Sequence, residues 1–223
     1  MSALPLVLLH TTAGNIDAFE ELLNEIAPEI PTRYVLRDDL LTAAFAAGQL
    51  TDDIRTQTTD ALKEIASENA GLVMCTCSTI GPGADDANLD AAVPVLRVDR
   101  PMMEEALKTG ERIAVCATFS TTMTPTLDLL RRCARQAGKT PEIQEHLFED
   151  ALPAFKAGDM STYMDIIAEG LKQAAKNVDV IVLAQASMVP ALSRINTLPV
   201  PVLSSPRSGI NQAIATWKAL QAQ

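Results

Sequence analysis

Two stretches of the chain share one pattern, and this repeat restricts the possible folds more than any other feature. The segment LVMCTCSTIGP at residues 72–82 precedes VPVLRVDRPMMEEAL, and VIVLAQASMVP at residues 180–190 precedes LPVPVLSSPRSGINQAI. Each stretch reads as an apolar strand, a turn of small and hydroxylated residues, a proline and short helix, then a second strand and helix. The repeat predicts two similar halves, each contributing a loop at a strand end.

Short apolar runs alternate with helical patterns along the rest of the chain. Leu4–Leu9 and Val178–Ala184 are apolar without alternation, which is typical of strands covered on both faces. This alternation favours an α/β fold with mostly parallel sheets. We expect one lobe to consist of residues 1–98 plus 207–223, and the other of residues 99–206. Ligands of such sheets bind at the carboxyl ends of the strands.

Composition excludes several classes of partner. The 223 residues include 28 acidic and 18 basic side chains, for a formal net charge of −10, which argues against nucleic acid and against an anionic membrane surface. No apolar run approaches the roughly 20 residues that cross a bilayer, and the first residues lack a basic signal-peptide region. The four cysteines form neither a disulfide framework nor a paired metal motif. The sequence therefore predicts a cytoplasmic protein without a metal site.

The third predicted strand, Leu72–Cys77, ends with a thiol, that of Cys77. Because the first and third strands of such sheets are usually neighbours, His10 and Thr11 are expected beside Cys77. A thiol next to an imidazole is suited to nucleophilic or acid–base catalysis, and a helix start after Gly81 would favour the thiolate. The same residues also fit a small buried cysteine and a hydrogen-bonded core histidine. The turn after the thiol adds two hydroxyl groups, those of Ser78 and Thr79.

A second polar loop, ATFSTTMTP at residues 117–125, follows the strand of the second half. A helix is predicted over Pro125–Ala137, with proline in its first turn. Hydroxyl and free N–H groups at a helix start can bind a carboxylate or a phosphate, although Thr122 or Thr124 could simply cap the helix. The candidate ligand-binding residues of this loop are Thr118, Ser120, Thr121 and Thr122.

These motifs resemble those of the Asp/Glu/hydantoin racemase superfamily. CST at residues 77–79 is similar to its first Cys-Asn-Thr motif, and ATFSTT at 117–122 to its carboxylate-binding threonine loop. QAS at 185–187 stands where a Gly-Cys-Thr motif is expected. Ala186, or Gln185 after a shift of one residue, therefore replaces the second cysteine, and Ser187 matches the threonine. His10 replaces the acidic residue common after the first strand.

The resemblance implies two pseudo-symmetric flavodoxin-like or Rossmann-like lobes with the active site in the cleft between them. It also implies cofactor-independent chemistry at the carbon α to a carboxylate. Two-base racemisation is disfavoured, because neither an alanine nor an amide can serve as the acid on the opposite face. A single thiol can still protonate an enolate after decarboxylation, shuttle a proton, or add to an unsaturated acid. The substrate-binding residues implied are Thr11, Ser78, Thr79, Thr118, Ser120, Thr121, Thr122, Gln185, Ala186 and Ser187.

The sequence therefore predicts an isomerase-type or lyase-type enzyme for a small carboxylate substrate, with Cys77 and His10 as catalytic residues and no cofactor. A homodimer is one assembly open to such an enzyme. A non-catalytic protein that binds small carboxylates is the alternative. A thiol-redox role for Cys75 and Cys77 ranks last, because a disulfide between residues two apart on a strand would be strained.

Overall fold

A computed structural model describes residues 3–222 and shows two units. One unit comprises the chain up to Asp99 together with the segment from Pro206 onward, and the other comprises Arg100–Ser205. Each contains a four-stranded parallel sheet, with strand order β2-β1-β3-β4 in the first and β6-β5-β7-β8 in the second. The strands are β1 (Leu6–His10), β2 (Thr32–Leu36), β3 (Leu72–Cys75), β4 (Val95–Arg97), β5 (Arg112–Ala117), β6 (Glu142–Leu147), β7 (Val180–Leu183) and β8 (Val202–Ser204).

Helices connect the strands, as the alternating pattern predicts. They are α1 (Gly14–Ile26), α2 (Asp38–Ala47), α3 (Asp52–Ser67), α4 (Gly81–Ala87), α5 (Arg100–Thr109), α6 (Ser120–Gln136), α7 (Ala151–Lys156), α8 (Met160–Ala174) and α9 (Ser205–Gln221). A 3₁₀ helix, Ala186–Arg194, follows β7 where α4 follows β3. The predicted α/β class and the repeated two-lobe architecture are thus confirmed. None of the helices within residues 3–222 has the length and apolar character needed to cross a bilayer.

The central strands are buried because helices cover both faces of each sheet. Every residue of β1 and β3 is buried, as is every residue of β7, which explains their unbroken apolar sequence. The last helix, α9, packs in the first unit, where Trp217 Nε1 donates to the Leu4 carbonyl at 2.8 Å. The helix after β4, α5, packs in the second unit through Met102 and Met103, which belong to one core cluster with Val180 and Val182.

Two predicted element boundaries are wrong, and both lie at the candidate loops. β3 ends at Cys75, so Cys77 lies in the loop after the strand and not on the strand itself. α6 begins at Ser120 and holds Pro125 in its interior, not in its first turn. Phe119 is the N-cap, and its carbonyl accepts from the Thr122 N–H at 3.0 Å. Ser120, Thr121 and Thr122 therefore form the first turn of the helix and do not precede it.

Candidate functional site

Hydrogen bonds at the carboxyl edges of the two sheets show which residues of the two halves correspond. Thr76 N–H donates to the Leu9 carbonyl at 3.0 Å, and Ala184 N–H donates to the Cys116 carbonyl at 2.9 Å. The strand registers agree, because Leu9 pairs with Cys75 and Cys116 pairs with Leu183. One residue beyond these bonds, Cys77 in the first half corresponds to Gln185 in the second.

This correspondence changes the position that sequence motifs assign to the second cysteine. The motif comparison favours Ala186, with Gln185 as the alternative, whereas the strand register selects Gln185. Counting residues from the same register pairs Thr11 with Thr118, Thr79 with Ser187, and His10 with Ala117. Motif alignment misses this because the turn after β7 is a 3₁₀ helix that starts at Ala186, whereas α4 starts later, at Gly81.

Cys77 is the accessible thiol of the chain. It is partly exposed, whereas Cys75, Cys116 and Cys133 are buried. Burial raises the pKa of the Cys75 and Cys116 thiols, so these two stay protonated at neutral pH. The Cys75 thiol also donates to the Cys77 carbonyl at 3.6 Å, which places it beneath the loop. Of the four cysteines, Cys77 is the one available to a small molecule.

His10 is completely buried and is engaged with Thr76. The Thr76 hydroxyl donates to the Leu9 carbonyl at 2.9 Å, so it accepts from His10 Nδ1–H at 3.0 Å. This assigns the proton to Nδ1 and leaves Nε2 as a buried acceptor that has no hydrogen-bond partner within residues 3–222. Phe19 and Tyr34 flank the ring, with centroids 5.2 and 5.9 Å away.

The expected imidazole–thiol pair is therefore an imidazole–hydroxyl pair. No hydrogen bond joins His10 to Cys77 in the part of the chain that the structure describes. Burial lowers the pKa of His10 to about 4, so the ring is neutral at pH 7. His10 holds Thr76, the residue immediately before Cys77, and thereby fixes the start of the loop.

A buried ion cluster supports the other end of the same loop. Arg97 donates from Nε and Nη2 to the two carboxylate oxygens of Asp99, at 2.9 Å each, and from Nη1 to Asp85 at 2.8 Å. Burial alone would lower the pKa of Arg97, but Asp99 and Asp85 raise it, so its charge is permanent. A Cβ atom at Gly81 would lie 2.5 Å from the guanidinium carbon of Arg97. Gly81 is thus needed for the loop to approach this cation.

The remaining predicted residues of the first half lie around the same loop. Thr11, Ser78 and Thr79 are all buried. The Ser78 carbonyl accepts from the Gly81 N–H at 3.2 Å, which closes the turn into α4. Sequence reasoning missed Arg97 and Asp99. Their signal is a cation followed two residues later by a carboxylate within the otherwise apolar segment VPVLRVD.

In the second half, Thr118 and Gln185 form one hydrogen-bonded network with Tyr163 and Ser187. Gln185 Oε1 accepts from the Thr118 backbone N–H at 2.7 Å and lies 3.2 Å from its hydroxyl. The Tyr163 hydroxyl lies 3.2 Å from the Thr118 hydroxyl and 2.9 Å from that of Ser187. Sequence reasoning missed Tyr163, because it lies on α8 in an amphipathic pattern that predicts only core packing.

The other hydroxyls of the second half lie in the first turn of α6. Thr121 and Thr122 are buried and Ser120 is exposed. Thr121 Oγ1 has no hydrogen-bond partner within residues 3–222, and the N-cap residue Phe119 supplies no side-chain acceptor. The N-terminus of a 17-residue helix with such a hydroxyl can bind an anion. Ala186 is half-buried and begins the 3₁₀ helix.

The structure repeats a parallel α/β unit, and polar loops lie at the carboxyl edge of each sheet. One of these loops carries an accessible thiol. These features define the class of two-lobed α/β proteins with strand-end sites. Within residues 3–222, no group of three or more His, Cys, Asp or Glu side chains is placed to hold a metal ion. The sequence matches the Asp/Glu/hydantoin racemase family over residues 6–213. The chain therefore belongs to that family.

Solved structures with the same fold include two glutamate racemases. The glutamate racemase isoform from Bacillus anthracis has a TM-score of 0.74 and 14% identity, covering 98% of this chain and 82% of the racemase. The enzyme from Francisella tularensis, in complex with D-glutamate, has a TM-score of 0.73 and 13% identity, with coverages of 99% and 84%.

An arylmalonate decarboxylase in its unliganded form also shares the fold. Its TM-score is 0.53 at 14% identity, with coverages of 96% of this chain and 93% of the decarboxylase. No curated protein matches the sequence. At these identities the similarity establishes the fold alone.

Proposed function

We propose that this protein is a cofactor-independent isomerase or lyase that acts at the carbon α to the carboxylate of a small acid, with Cys77 as its single reacting thiol. The observation that carries the proposal is the position of Cys77. It is the partly exposed cysteine among four, and it lies in the loop at the carboxyl edge of a parallel sheet, where such folds bind ligands.

The loop that bears Cys77 is held in place on both sides. His10 fixes Thr76 at its start through the 3.0 Å contact, and the Arg97 cluster packs under Gly81 at its end. Such support is what a reacting group needs to keep its geometry during turnover. In this proposal His10 is a positioning residue, because burial keeps its ring neutral, and Cys77 is the catalytic residue.

Hydroxyl groups would bind the carboxylate and stabilise the enolate-like intermediate. We assign this role in the first half to Thr11, Ser78 and Thr79. In the second half it belongs to the first turn of α6, where Ser120, Thr121 and Thr122 supply hydroxyls at a helix N-terminus. Thr118 and Ser187 hold the neighbouring loop through their contacts with Tyr163.

Two reactions use one thiol without a second acid. In a decarboxylation, the bond from Cα to a carboxylate breaks, CO₂ leaves, and the Cys77 S–H gives its proton to the resulting enediolate carbon. In a cis–trans isomerisation, the Cys77 thiolate adds to the double bond, the new single bond rotates, and the thiolate leaves again. Symmetrical two-base racemisation is disfavoured, because Gln185 stands in register with Cys77 and cannot act as an acid.

A panel of acids tests the proposal by proton NMR in D₂O. The panel contains both enantiomers of glutamate and aspartate, with maleate and phenylmalonate. We expect turnover or Cα exchange of at least one of them, reduced about a hundredfold or more in Cys77→Ser. Cys75→Ser, which alters a buried thiol two residues away, is the matched control and retains the activity. An undiminished rate in Cys77→Ser would contradict the assignment.

The replacement of the second thiol by Gln185 also supports a second candidate, a non-catalytic protein that binds small carboxylates. This candidate predicts saturable binding of a panel acid with no turnover and no deuterium incorporation. A reducing compartment such as the cytoplasm suits either candidate, because all four cysteines are free thiols.

A further inference from the structure

Gln185 stands where the first half carries its thiol, and its side chain is held by a hydrogen-bonded network. The Thr118 backbone N–H, which can only donate, lies 2.7 Å from one atom of the amide. That atom must therefore be the oxygen Oε1. The amide NH₂ group consequently points away from Thr118. Its nitrogen, Nε2, is buried and has no hydrogen-bond partner among residues 3–222.

The three hydroxyls of the network have one consistent direction of donation. Thr118 Oγ1 donates to Gln185 Oε1 at 3.2 Å, so it must accept from the Tyr163 hydroxyl, also at 3.2 Å. The Tyr163 oxygen then accepts from Ser187 at 2.9 Å. Each hydroxyl has a single proton, so the chain runs from Ser187 through Tyr163 and Thr118 to Gln185.

This chain prevents the amide of Gln185 from rotating by a half-turn. Rotation would place the NH₂ group against the Thr118 N–H, which leaves two donors facing each other. It would also remove the acceptor of the Thr118 hydroxyl. Tyr163 is fully buried, so water cannot replace these bonds at its hydroxyl. The second half therefore presents a fixed hydrogen-bond donor at the position of Cys77 in the first half.

We propose that Gln185 binds substrate, donating from Nε2 to an oxygen of the acid. A primary amide neither gives nor takes a proton at neutral pH, so this half-site recognises an oxygen and does not carry out proton transfer. The ligand class is a small acid, because a carboxylate oxygen accepts hydrogen bonds and is ionised at neutral pH. Buried donors are nearly always hydrogen-bonded in native proteins, and a ligand oxygen would supply the partner that Nε2 lacks. The ligand class rests on the proposed function, whereas the donor role of Gln185 does not.

Binding of malonate, a small dicarboxylate, tests this inference. Malonate is titrated into the Cys77→Ser protein at pH 7.5, and calorimetry measures the affinity. The Cys77→Ser substitution ensures that no reaction of this thiol contributes to the heat. Gln185→Glu keeps an oxygen for Thr118 but replaces the NH₂ group by a second oxygen. We expect malonate to bind at least tenfold more weakly to the Cys77→Ser, Gln185→Glu double variant than to the Cys77→Ser protein. Gln173→Glu makes the same substitution at an exposed position of α8, and we expect its affinity to change less than twofold.

A second variant keeps the test decisive if Gln185→Glu does not fold. Gln185→Met removes the donor without adding charge, and we expect about fivefold weaker binding. Unchanged affinity in both variants, or no binding of malonate by the Cys77→Ser protein, would overturn the inference. These outcomes are independent of turnover. Loss of binding in Gln185→Glu without any Cys77-dependent reaction would support the donor role and refute the proposed enzyme.

Discussion

The carboxyl edges of the two sheets use the same framework for different chemistry. Both sheets have the same strand order, and the same backbone bond leads into each loop, at 3.0 Å from Thr76 and at 2.9 Å from Ala184. The first edge then carries a thiol, a buried imidazole and a buried ion cluster. The second carries an amide and three linked hydroxyls.

This difference separates reactivity from ligand recognition, two requirements that each half of a symmetrical two-thiol site would have to meet. The first half carries the accessible thiol, and His10 and the Arg97 cluster hold its loop. The second half has only uncharged groups at the corresponding positions, with Ala117 in place of His10 and Gln185 in place of Cys77. The contrast supports one half as the source of reactivity and the other as a recognition surface.

Restoring a thiol at Gln185 would remove the chemical difference between the halves. We expect Gln185→Cys to increase Cα deuterium incorporation into glutamate or aspartate about a hundredfold or more over the wild type, because a second acid–base group then becomes available. Proton NMR in D₂O measures the exchange, and chiral chromatography measures the enantiomer formed.

Ala186→Cys is the matched control for that substitution, since it places the thiol one residue further along the chain. We expect a much smaller gain from it, because the strand register selects Gln185. A larger gain in Ala186→Cys would show that the motif comparison, and not the register, identifies the equivalent position.

Much of the framework could be predicted from the sequence. Unbroken apolar strands such as Leu6–Leu9 and helical periodicity carry the parallel α/β pattern, and the repeat of residues 72–82 at 180–190 indicates two equivalent halves. The Cys-Ser-Thr motif identified the loop that holds the accessible thiol. Each of these features depends on short-range patterns that a single sequence records.

Tertiary contacts account for what the sequence missed. Tyr163 reaches Thr118 across 45 positions, a pairing that no local spacing indicates. His10 contacts Thr76 and not the adjacent Cys77, and the sequence does not show which of these two neighbouring side chains faces the imidazole. The identity of the residue equivalent to Cys77 required the strand register, because the two turns differ in helical type.

The imidazole that distinguishes the first half should make stability depend on pH. Burial lowers the pKa of His10 from 6.5 to about 4, so the unfolded chain binds its proton more tightly than the folded chain. The stabilisation of the folded state by the neutral imidazole is fully present above pH 6.5. It is lost as the pH falls toward 4, and the free energy of unfolding then decreases by about 3 kcal/mol in total. We expect His10→Asn, which can still donate to Thr76, to remove this part of the pH dependence in urea denaturation.

His146 provides the comparison, because it is the other histidine of the chain and is only partly buried. Burial also lowers the pKa of His146, and we expect His146→Gln to reduce the pH dependence less than His10→Asn does. An identical dependence in the wild type and His10→Asn would show that the imidazole is not held neutral by the first half.

The hydroxyl chain that distinguishes the second half should contribute less to the free energy of unfolding than the neutral imidazole of the first half does. Tyr163→Phe removes a buried hydroxyl that has two partners, at 3.2 and 2.9 Å, and we expect a loss of about 1–2 kcal/mol in the free energy of unfolding, measured in urea. Tyr34→Phe is the matched control in the first half, where a half-buried hydroxyl has one weak contact with Thr32 at 3.4 Å. It should cost less than about 0.5 kcal/mol. Equal losses would mean that the Tyr163 hydroxyl adds nothing beyond ordinary packing, and the fixed direction of the Gln185 amide would then depend on the Thr118 N–H alone.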